Sequence, residues 1–411
     1  MPRVGLVLEG GGAKGAFQIG AVKALNELGY EFDVVVGSSI GTINGAAIAG
    51  GKLKELEELW RGSDISDFIE GDPDVLEDLM NGEFRRDVRH FLVDTVKQKG
   101  LDTSPLREKL EALIDEQKLR AGKVRFGLTT LAVKDMIPRG VQVFLEEIPE
   151  GRLIDYMMGS SNLPGLQPVE IDGARMVDGG FYDNLPIGML EDYPGEIIAV
   201  RIHGIGFIKK ISEELESRVR YIIPSEDLGG ILEVDADRID HNIMLGYLDT
   251  MRTFGRLYGS QYYFSEIPVD AFSSVPIPQI ACRILADLLA LPEDTDEVGI
   301  VKSISELLGA ETSLDKRDMW IRLVESVAAS VGAERVKTYS FRTLEETLSQ
   351  HFEMMEAQEA VSSSAGILDF VPIGSLRSVL IPQEREQLLI KLFLVLRDVY
   401  RQYKGDYYGT V

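Results

Sequence analysis

The sequence predicts an α/β fold with a mostly parallel central sheet, followed by a separate helical region. Short apolar runs alternate with helical periodicity within about the first fifty residues, which is typical of a βαβ unit. From about residue 276 the glycines become rare and apolar residues recur at helical spacing. We therefore expect a first domain over residues 1–275, with a helical insertion at about 52–120, and a C-terminal helical region over residues 276–411.

The composition is that of a globular protein and limits its partners. The 411 residues include 43 Lys plus Arg and 67 Asp plus Glu, a formal charge of −24, and 45% are hydrophobic. This charge opposes nucleic-acid phosphates, so nucleic acid is not an expected partner. The single cysteine, Cys282, excludes an intramolecular disulfide framework and a metal site built from clustered cysteines. Four histidines leave little material for a histidine-rich metal site.

The first four elements follow from apolar spacing and glycine positions. Residues 4–8 are an apolar run that enters a group of glycines, which predicts a buried strand. Residues 16–28 carry apolar side chains at helical spacing and stop at Gly29. Residues 34–36 are three valines and predict a second strand, and the small residues of 42–49 predict a second helix.

The later elements are predicted by the same criteria. Strands are expected at 124–130, 141–145 and 197–202, and amphipathic helices at 54–60 and 106–114. The C-terminal helices are expected at 281–291, 298–308, 319–330, 344–361 and 384–403. Residues 159–184, rich in Gly, Pro, Ser and Asn, are predicted to be mostly loop and so to suit a functional site. The best linker candidate is 361–366, Val-Ser-Ser-Ser-Ala-Gly.

The first motif is the glycine-rich stretch between the first strand and the first helix. Gly10, Gly12 and Gly15 formally satisfy G-x-G-x-x-G, but dinucleotide binding also needs an acidic residue at the end of the second strand, where Gly and Ser stand instead. A Walker loop fails because Gly follows Lys14. What remains is a loop of backbone N–H groups that can hold a negative group at a helix N-terminus.

The second motif, G-x-S-x-G, spans Gly37 to Gly41 and places Ser39 between the second strand and the second helix. This context is that of a nucleophile elbow, in which the serine hydroxyl projects from a strained turn. Neighbouring parallel strands end at the same edge of a sheet, so Ser39 and the glycine loop are expected to meet there. A carbonyl attacked by Ser39 would then place its oxyanion against the N–H groups of the loop.

A nucleophilic serine needs a base, and histidine is the usual one. His203, His241 and His351 are candidates. Of these, only His203, in Arg-Ile-His-Gly, has a setting similar to a catalytic turn, and a non-catalytic role is the default for each. The third motif offers a carboxylate instead: Asp178 followed by Gly179 and Gly180, where the backbone can approach a neighbour closely.

These three motifs, in this order, resemble the patatin-like phospholipase family. The resemblance implies a three-layer α/β/α fold and a Ser39–Asp178 catalytic dyad that needs no histidine, metal or organic cofactor. It assigns Gly37 and Gly41 to the nucleophile elbow and Gly179 and Gly180 to the aspartate loop. The implied oxyanion hole comprises Gly10, Gly11, Gly12, Lys14 and Gly15.

Two further pieces extend the resemblance over residues 4–205. Residues 160–168 are similar to the family's Ser- and Pro-containing block, and residues 184–186 to its Asn-x-Pro. Lys14 stands where the family often has Arg, and Leu166 where it often has an aromatic residue, which puts the shape of the acyl pocket in question. Residues 276–411 lie outside the resemblance.

The implied function is hydrolysis of fatty-acyl ester bonds in phospholipids or neutral lipids. An acyltransferase with the same acyl-enzyme and a non-catalytic lipid-binding protein remain alternatives.

The N-terminus lacks a signal-peptide pattern, which predicts a cytoplasmic protein, with peripheral membrane contact and a homo-oligomer both left open. The apolar stretch 388–396 is too short to span a bilayer; it belongs to a core or lies in the interface, and the core is favoured. The aromatic tail 403–408 is a weaker interface candidate.

Overall fold

The computed structural model describes residues 2–70, 100–267, 275–362 and 382–407. The chain divides into two compact units, Met1–Thr253 and Phe254–Val411. The division lies earlier than the boundary at 275/276 expected from the sequence. Residues that follow Thr253 belong to the second unit because the strand Tyr263–Glu266 pairs with the strand Thr338–Ser340.

In the first unit the described strands are β1 (Arg3–Leu8), β2 (Glu31–Ser38), β3 (Arg125–Lys134), β4 (Ile137–Phe144), β5 (Val169–Ile171), β6 (Ala174–Val177), β7 (Ile197–Val200) and β8 (Val219–Ile222). The described helices are α1 (Ala16–Glu27), α2 (Ile40–Ala49), α3 (Leu53–Arg61), α4 (Ser104–Leu113), α5 (Glu116–Ala121), α6 (Leu153–Ser160), α7 (Glu213–Glu216) and α8 (Ala236–Thr253). Short 3₁₀ turns at Gly12–Gly15 and Gly179–Phe181 lie beside the candidate site. Of the expected helical insertion at 52–120, residues 71–99 lie outside the described residues.

The strands form one mixed sheet in the order β5-β6-β3-β2-β1-β7-β8, with β4 paired to β3. The four pairs from β3 through β2, β1 and β7 to β8 are parallel, and the pairs that involve β4, β5 and β6 are antiparallel. The expected α/β fold with a mostly parallel central sheet is confirmed.

Successive side chains of the central strands point to opposite faces of the sheet. Val7, Val34 and Val36 join a buried cluster on one face with residues of β7 and of the 185–190 segment. Leu8 and Val35 face α2 on the other face, where a methyl group on Gly45 would lie 3.7 Å and 3.2 Å from their side chains. Helices pack on this second face, since α2 contacts β1, β2 and β3 and α1 packs along α8.

The register along β3 brings two strand ends together. β4 pairs with β3 from Gly127 to Lys134 and occupies one edge of that strand along this length. β2 and β6 must therefore share the other edge: β2 pairs as far as Thr129, and β6 pairs from Leu131 onward in the opposite direction. The last residue of β2 and the last residue of β6 consequently face each other across Thr130.

The segment 159–184 is more regular than the expected loop. It contains the end of α6 and the hairpin β5–β6, whose two-residue turn, Asp172-Gly173, has positive φ angles of 52° and 71°. Asp-Gly is a typical dipeptide of such a turn. The hairpin strands are only three and four residues long, so their alternation is too short to be recognised among so many polar residues.

The second unit contains β9 (Tyr263–Glu266), β10 (Thr338–Ser340), α9 (Gln279–Leu288), α10 (Glu297–Leu307), α11 (Lys316–Ser330), α12 (Phe341–Ser362) and α13 (Pro382–Tyr407). Its core is centred on Trp320, whose ring stacks on Phe393 at 5.4 Å between centroids. Glu325 is buried, and one of its carboxylate oxygens accepts the N–H groups of residues 260–262, which fixes the segment before β9. Of the linker candidate 361–366, residues 363–366 lie outside the described residues.

The apolar stretch 388–396 lies in α13 and belongs to the core of the second unit. Leu388, Leu389, Leu392, Phe393 and Leu396 are all buried in its cluster. The side chains of the tail 403–408 lie outside the described residues. Among the helices that the structure describes, none combines the length and the apolar composition needed to cross a bilayer.

Candidate active site

Ser39 occupies a strained turn between β2 and α2. Its φ and ψ are 52° and −126°, a conformation that non-glycine residues rarely adopt, and its side chain is 8% exposed. A methyl group on Gly37 would overlap the carbonyl oxygen of Gly41, and one on Gly41 would overlap that of Leu8, so the turn requires both glycines. This is the geometry of a nucleophile elbow, and it places Ser39 at the N-terminus of α2, where the helix dipole favours negative charge.

Asp178 follows β6 directly and is 3% exposed. Its Oδ1 accepts the N–H of Gly180 at 2.8 Å, whereas the buried Oδ2 makes no hydrogen bond to the described residues. Burial raises the pKa of Asp178 from 3.8 to about 6, and interactions with the Ser39 hydroxyl and the Gly180 N–H limit the rise. A carboxylate with this pKa is ionised at neutral pH and is a suitable proton acceptor.

The structure brings Ser39 and Asp178 to the same place. They are the residues that follow the two strand ends facing each other across Thr130 on the edge of β3. The aspartate loop also lies directly against β2, because a methyl group on Gly179 would overlap the hydroxyl of Ser38. The expected meeting of the serine with the glycine loop is likewise visible, since a methyl group on Gly10 would lie 3.0 Å from Cβ of Ser39.

The five residues of the implied oxyanion hole differ in what their polar groups do. The N–H groups of Gly11 and Gly12 have no hydrogen-bond partner in the part of the chain that the structure describes. The N–H of Gly10 donates to the carbonyl oxygen of Asn184 at 3.0 Å, and Nζ of Lys14 donates to that of His203 at 3.2 Å. Gly15 is buried, and its carbonyl oxygen accepts from Nδ2 of Asn44. The N–H groups of Gly11 and Gly12 are therefore available to an oxyanion, and that of Gly10 is not.

A short segment at the end of α6 connects the two halves of the candidate dyad. The hydroxyl of the fully buried Ser160 accepts the N–H of Ser39 at 3.1 Å, donates to the carbonyl oxygen of Thr129 at 2.7 Å and lies 2.8 Å from Oγ1 of Thr42. Two residues later, the carbonyl oxygen of Asn162 accepts the N–H of Asp178 at 2.9 Å. One rigid segment thus holds the backbone of both Ser39 and Asp178.

Sequence reasoning missed two residues that hold the glycine loop in place. Glu9 is fully buried at the end of β1, and its Oε2 accepts from Arg201 and from the N–H groups of Ile202 and His203, which ties the segment after β7 to this loop. Asn184 donates from Nδ2 to the carbonyl oxygen of Gly10 at 3.0 Å. A charged residue directly after a buried strand was the available signal for Glu9.

A cavity of about 90 Å³ opens beside Ser39. Its wall is almost entirely apolar and includes Ile40, Ile43, Trp60, Phe68, Leu106, Leu163, Leu166 and Ile231. Leu166, which departs from the aromatic residue common in the resembled family, is part of this wall. The cavity therefore offers a dry, hydrocarbon-like surface next to the hydroxyl of Ser39.

The histidines contact other groups. No imidazole hydrogen-bonds to Ser39 or Asp178 among the described residues. Nε2 of His241 lies 3.1 Å from Oε2 of Glu226, and the side chains of His203 and His351 are exposed. His90 lies outside the described residues. Among the described residues, Asp178 is thus the titratable side chain that interacts with the hydroxyl of Ser39.

Comparison with known proteins gives a family. Residues 6–190 match the model of the patatin-like phospholipase family. An uncharacterized NTE family protein of Mycobacterium tuberculosis is 28% identical over 208 residues, which are 49% of this chain and 50% of that protein. The lysophospholipase nte1 of Aspergillus terreus is 25% identical over 278 residues, 64% of this chain and 14% of that protein.

Among solved structures, VipD from Legionella pneumophila aligns over 99% of this chain and 93% of its own, at 13% identity and a TM-score of 0.39. The match to the mycobacterial relative spans half the length of that protein, and the match to nte1 a smaller part. The family model covers the glycine loop, the serine elbow and the aspartate loop in their expected order. Residues 6–190 of the chain are thus similar to the patatin-like phospholipase family.

Proposed function

We propose that this protein is a lipid acyl hydrolase that cleaves fatty-acyl ester bonds through Ser39 and Asp178. The observation that carries the proposal is the shared edge of β3, which sets the strained serine beside a buried carboxylate. The two unpaired N–H groups of the glycine loop support it as an oxyanion site. The relatives, among them a lysophospholipase, support a lipid ester as substrate.

In the first half of the reaction, Oγ of Ser39 attacks the ester carbonyl carbon and its proton passes to Oδ2 of Asp178. The carbonyl oxygen becomes an oxyanion and accepts the N–H groups of Gly11 and Gly12, whose positions are preset by the backbone. Collapse of this intermediate breaks the ester bond, and the departing alcohol takes the proton from Asp178. The fatty acyl group remains on Ser39.

In the second half, Asp178 accepts a proton from a water molecule that attacks the acyl-enzyme carbonyl. The same oxyanion forms and collapses, the proton returns to Oγ of Ser39, and the fatty acid leaves. The apolar cavity beside Ser39 would hold the acyl chain in both steps, because its wall offers no polar competition for hydrocarbon.

The pKa of Asp178 predicts the acid limb of the pH profile. The residue must be ionised to accept the serine proton, and its pKa is raised to about 6 by burial. We expect kcat/KM for a soluble ester to fall about tenfold per pH unit below that value and to level off about one pH unit above it. A pH–rate profile from pH 4 to 8 measures this, and a limb near the ordinary value of 3.8 would contradict it.

Ser160 is expected to position the nucleophile through its hydrogen bond to the N–H of Ser39. Ser160→Ala leaves that N–H and the hydroxyl of Thr42 without this partner, so we expect kcat to fall roughly 10- to 100-fold while KM changes little. Steady-state kinetics separate the two constants. Ser349→Ala is the matched control, because Ser349 is an equally buried serine bonded only within α12. A fall in thermal stability without a fall in kcat would contradict the positioning role.

The proposal is tested by labelling the full-length protein with a fluorophosphonate probe and mapping the modified peptide. We expect the label on Ser39 alone, with no labelling of Ser39→Ala. Incubation with phospholipid, lysophospholipid and triacylglycerol substrates, with and without glycerol as acceptor, then identifies the product. Free fatty acid supports the proposal, transfer to glycerol favours an acyltransferase, and labelling of another serine overturns the dyad.

A further inference from the structure

The segment after β7 presents exposed apolar side chains directly beside the candidate dyad. Residues 203–210, the docking loop, read His-Gly-Ile-Gly-Phe-Ile-Lys-Lys. Ile205, Phe207 and Ile208 are 39%, 49% and 41% exposed, so three of four successive residues carry large apolar groups into solvent. Such a concentration of exposed apolar groups is unusual on a soluble surface and indicates a contact site.

The backbone of the docking loop is held by the catalytic loops. The N–H of Phe207 donates to the carbonyl oxygen of Gly180 at 2.8 Å, and its own carbonyl oxygen accepts the N–H of Asn184 at 2.6 Å. Gly204 packs so closely on the glycine loop that a methyl group there would lie 2.9 Å from Cα of Gly11. The main chain is therefore fixed to both loops while the side chains of residues 205, 207 and 208 remain exposed.

The charge of this segment is opposite to that of the whole chain. Residues 201–212 contain Arg201, Lys209 and Lys210 and no acidic residue, although the chain carries a formal charge of −24. Arg201 is used by the buried Glu9, and Nζ of Lys209 lies 3.3 Å from the ring centre of Tyr182. The side chains of Lys209 and Lys210 are exposed at the end of the apolar group. Apolar residues flanked by lysines suit a surface that is both apolar and negatively charged.

A second exposed apolar pair lies at the same edge of the sheet. Met136 and Ile137, at the tip of the β3–β4 hairpin, are 56% and 57% exposed. The hairpin extends past the end of β2, and Gln142 on β4 donates to Asp183, which also accepts the N–H of Lys209. The hairpin and the docking loop are thus joined on the side of the sheet where Ser39 and Asp178 lie.

We propose that the docking loop binds the surface of a phospholipid bilayer and so presents lipid to Ser39. The presentation of lipid to Ser39 rests on the proposed function, whereas binding of the docking loop to the bilayer does not require catalysis. Ile205, Phe207 and Ile208 enter the acyl boundary of the bilayer, and Lys209 and Lys210 contact anionic head groups. The local positive charge lets a strongly acidic protein approach a membrane in one orientation, with the dyad toward the lipid.

The test measures co-sedimentation of full-length Ser39→Ala protein with phosphatidylcholine vesicles, with and without phosphatidylserine. Because Ser39→Ala cannot form an acyl-enzyme, the binding result does not depend on the proposed function. We expect Phe207→Ser/Ile208→Ser, in this background, to lower the partition coefficient about tenfold or more on both kinds of vesicle. Lys209→Gln/Lys210→Gln should lower it by roughly tenfold only on vesicles with phosphatidylserine, and added salt should remove that difference.

Met244→Ser is the matched control, since Met244 on α8 is 48% exposed and lies outside the docking loop. It should bind vesicles like the parent protein. In the active protein, Phe207→Ser/Ile208→Ser should lose activity on vesicle substrate and keep it on a soluble short-chain ester. The proposal is overturned if the parent protein does not bind vesicles, if the loop variant binds equally well, or if the loop variant changes only the oligomeric state.

Discussion

Ser39→Ala and Asp178→Asn are each expected to lower kcat/KM for a soluble ester by about 10³-fold or more. The first removes the atom that forms the acyl-enzyme. The second keeps the shape of the side chain but removes the group that accepts the serine proton. The double variant should be no less active than either single variant, because the two residues act as one unit. Steady-state kinetics of the three proteins, with fluorophosphonate labelling, measure these effects.

The melting temperature of Asp178→Asn as a function of pH distinguishes a variant that has lost only its activity from one that folds incorrectly. The folded-state pKa of Asp178 is raised from 3.8 to about 6, so the folded protein binds more protons than the unfolded chain between these values. The wild-type protein should therefore lose stability as the pH rises through this window, and Asp178→Asn should not. Above it, the Asn variant should melt at the same temperature as the wild type or higher, because it has no buried charge. An inactive variant with a lower melting temperature at pH 8 would indicate damage to the fold.

Gly12→Ala is expected to lower kcat by about 100-fold or more. Gly12 has φ +58°, and a methyl group there would overlap the carbonyl oxygen of Ile231, so the turn must shift. This shift moves the N–H groups of Gly11 and Gly12, and the loss of one oxyanion donor has an effect of about this size. The change should appear mainly in kcat, because these donors bind the oxyanion more strongly than the ester.

Gly29→Ala is the control that separates the effect of a strained alanine from the effect of moving the glycine loop at the candidate site. Gly29 also has a positive φ, +81°, but a methyl group there meets nothing within 4 Å. Both variants place alanine in the left-handed region, which costs roughly 1–3 kcal/mol of stability. We expect the melting temperature to fall for both variants, and further for Gly12→Ala because of its overlap with Ile231, whereas kcat should stay normal for Gly29→Ala alone. Equal kcat for the two variants would contradict the oxyanion role of the glycine loop.

The two candidate catalytic residues could be predicted from the sequence, because each lies in a short motif whose glycines have a structural role. Gly-x-Ser-x-Gly marks a turn that only glycines on both sides of Ser39 permit, and Asp178 precedes two glycines that let its loop pack against β2. The helices of the C-terminal region were also predictable, since apolar spacing is sustained over several turns in α11 and α13. The short strands β5 and β6 were not, because three or four residues carry too little pattern.

The sequence by itself determined the fold class and the order of the three motifs, since these depend on local spacing and on residues with special backbone freedom. Only the tertiary structure decided which groups meet. Pairing along β3 joins residues distant in sequence, and it sets Ser39 beside Asp178. Three other features of the site also arise from long-range contacts. They are the burial of Asp178, the hydrogen bond from the Gly10 N–H to Asn184, and the hydrogen bond from the Ser39 N–H to Ser160. Local spacing cannot specify such contacts, because they form only when separate segments pack against one another.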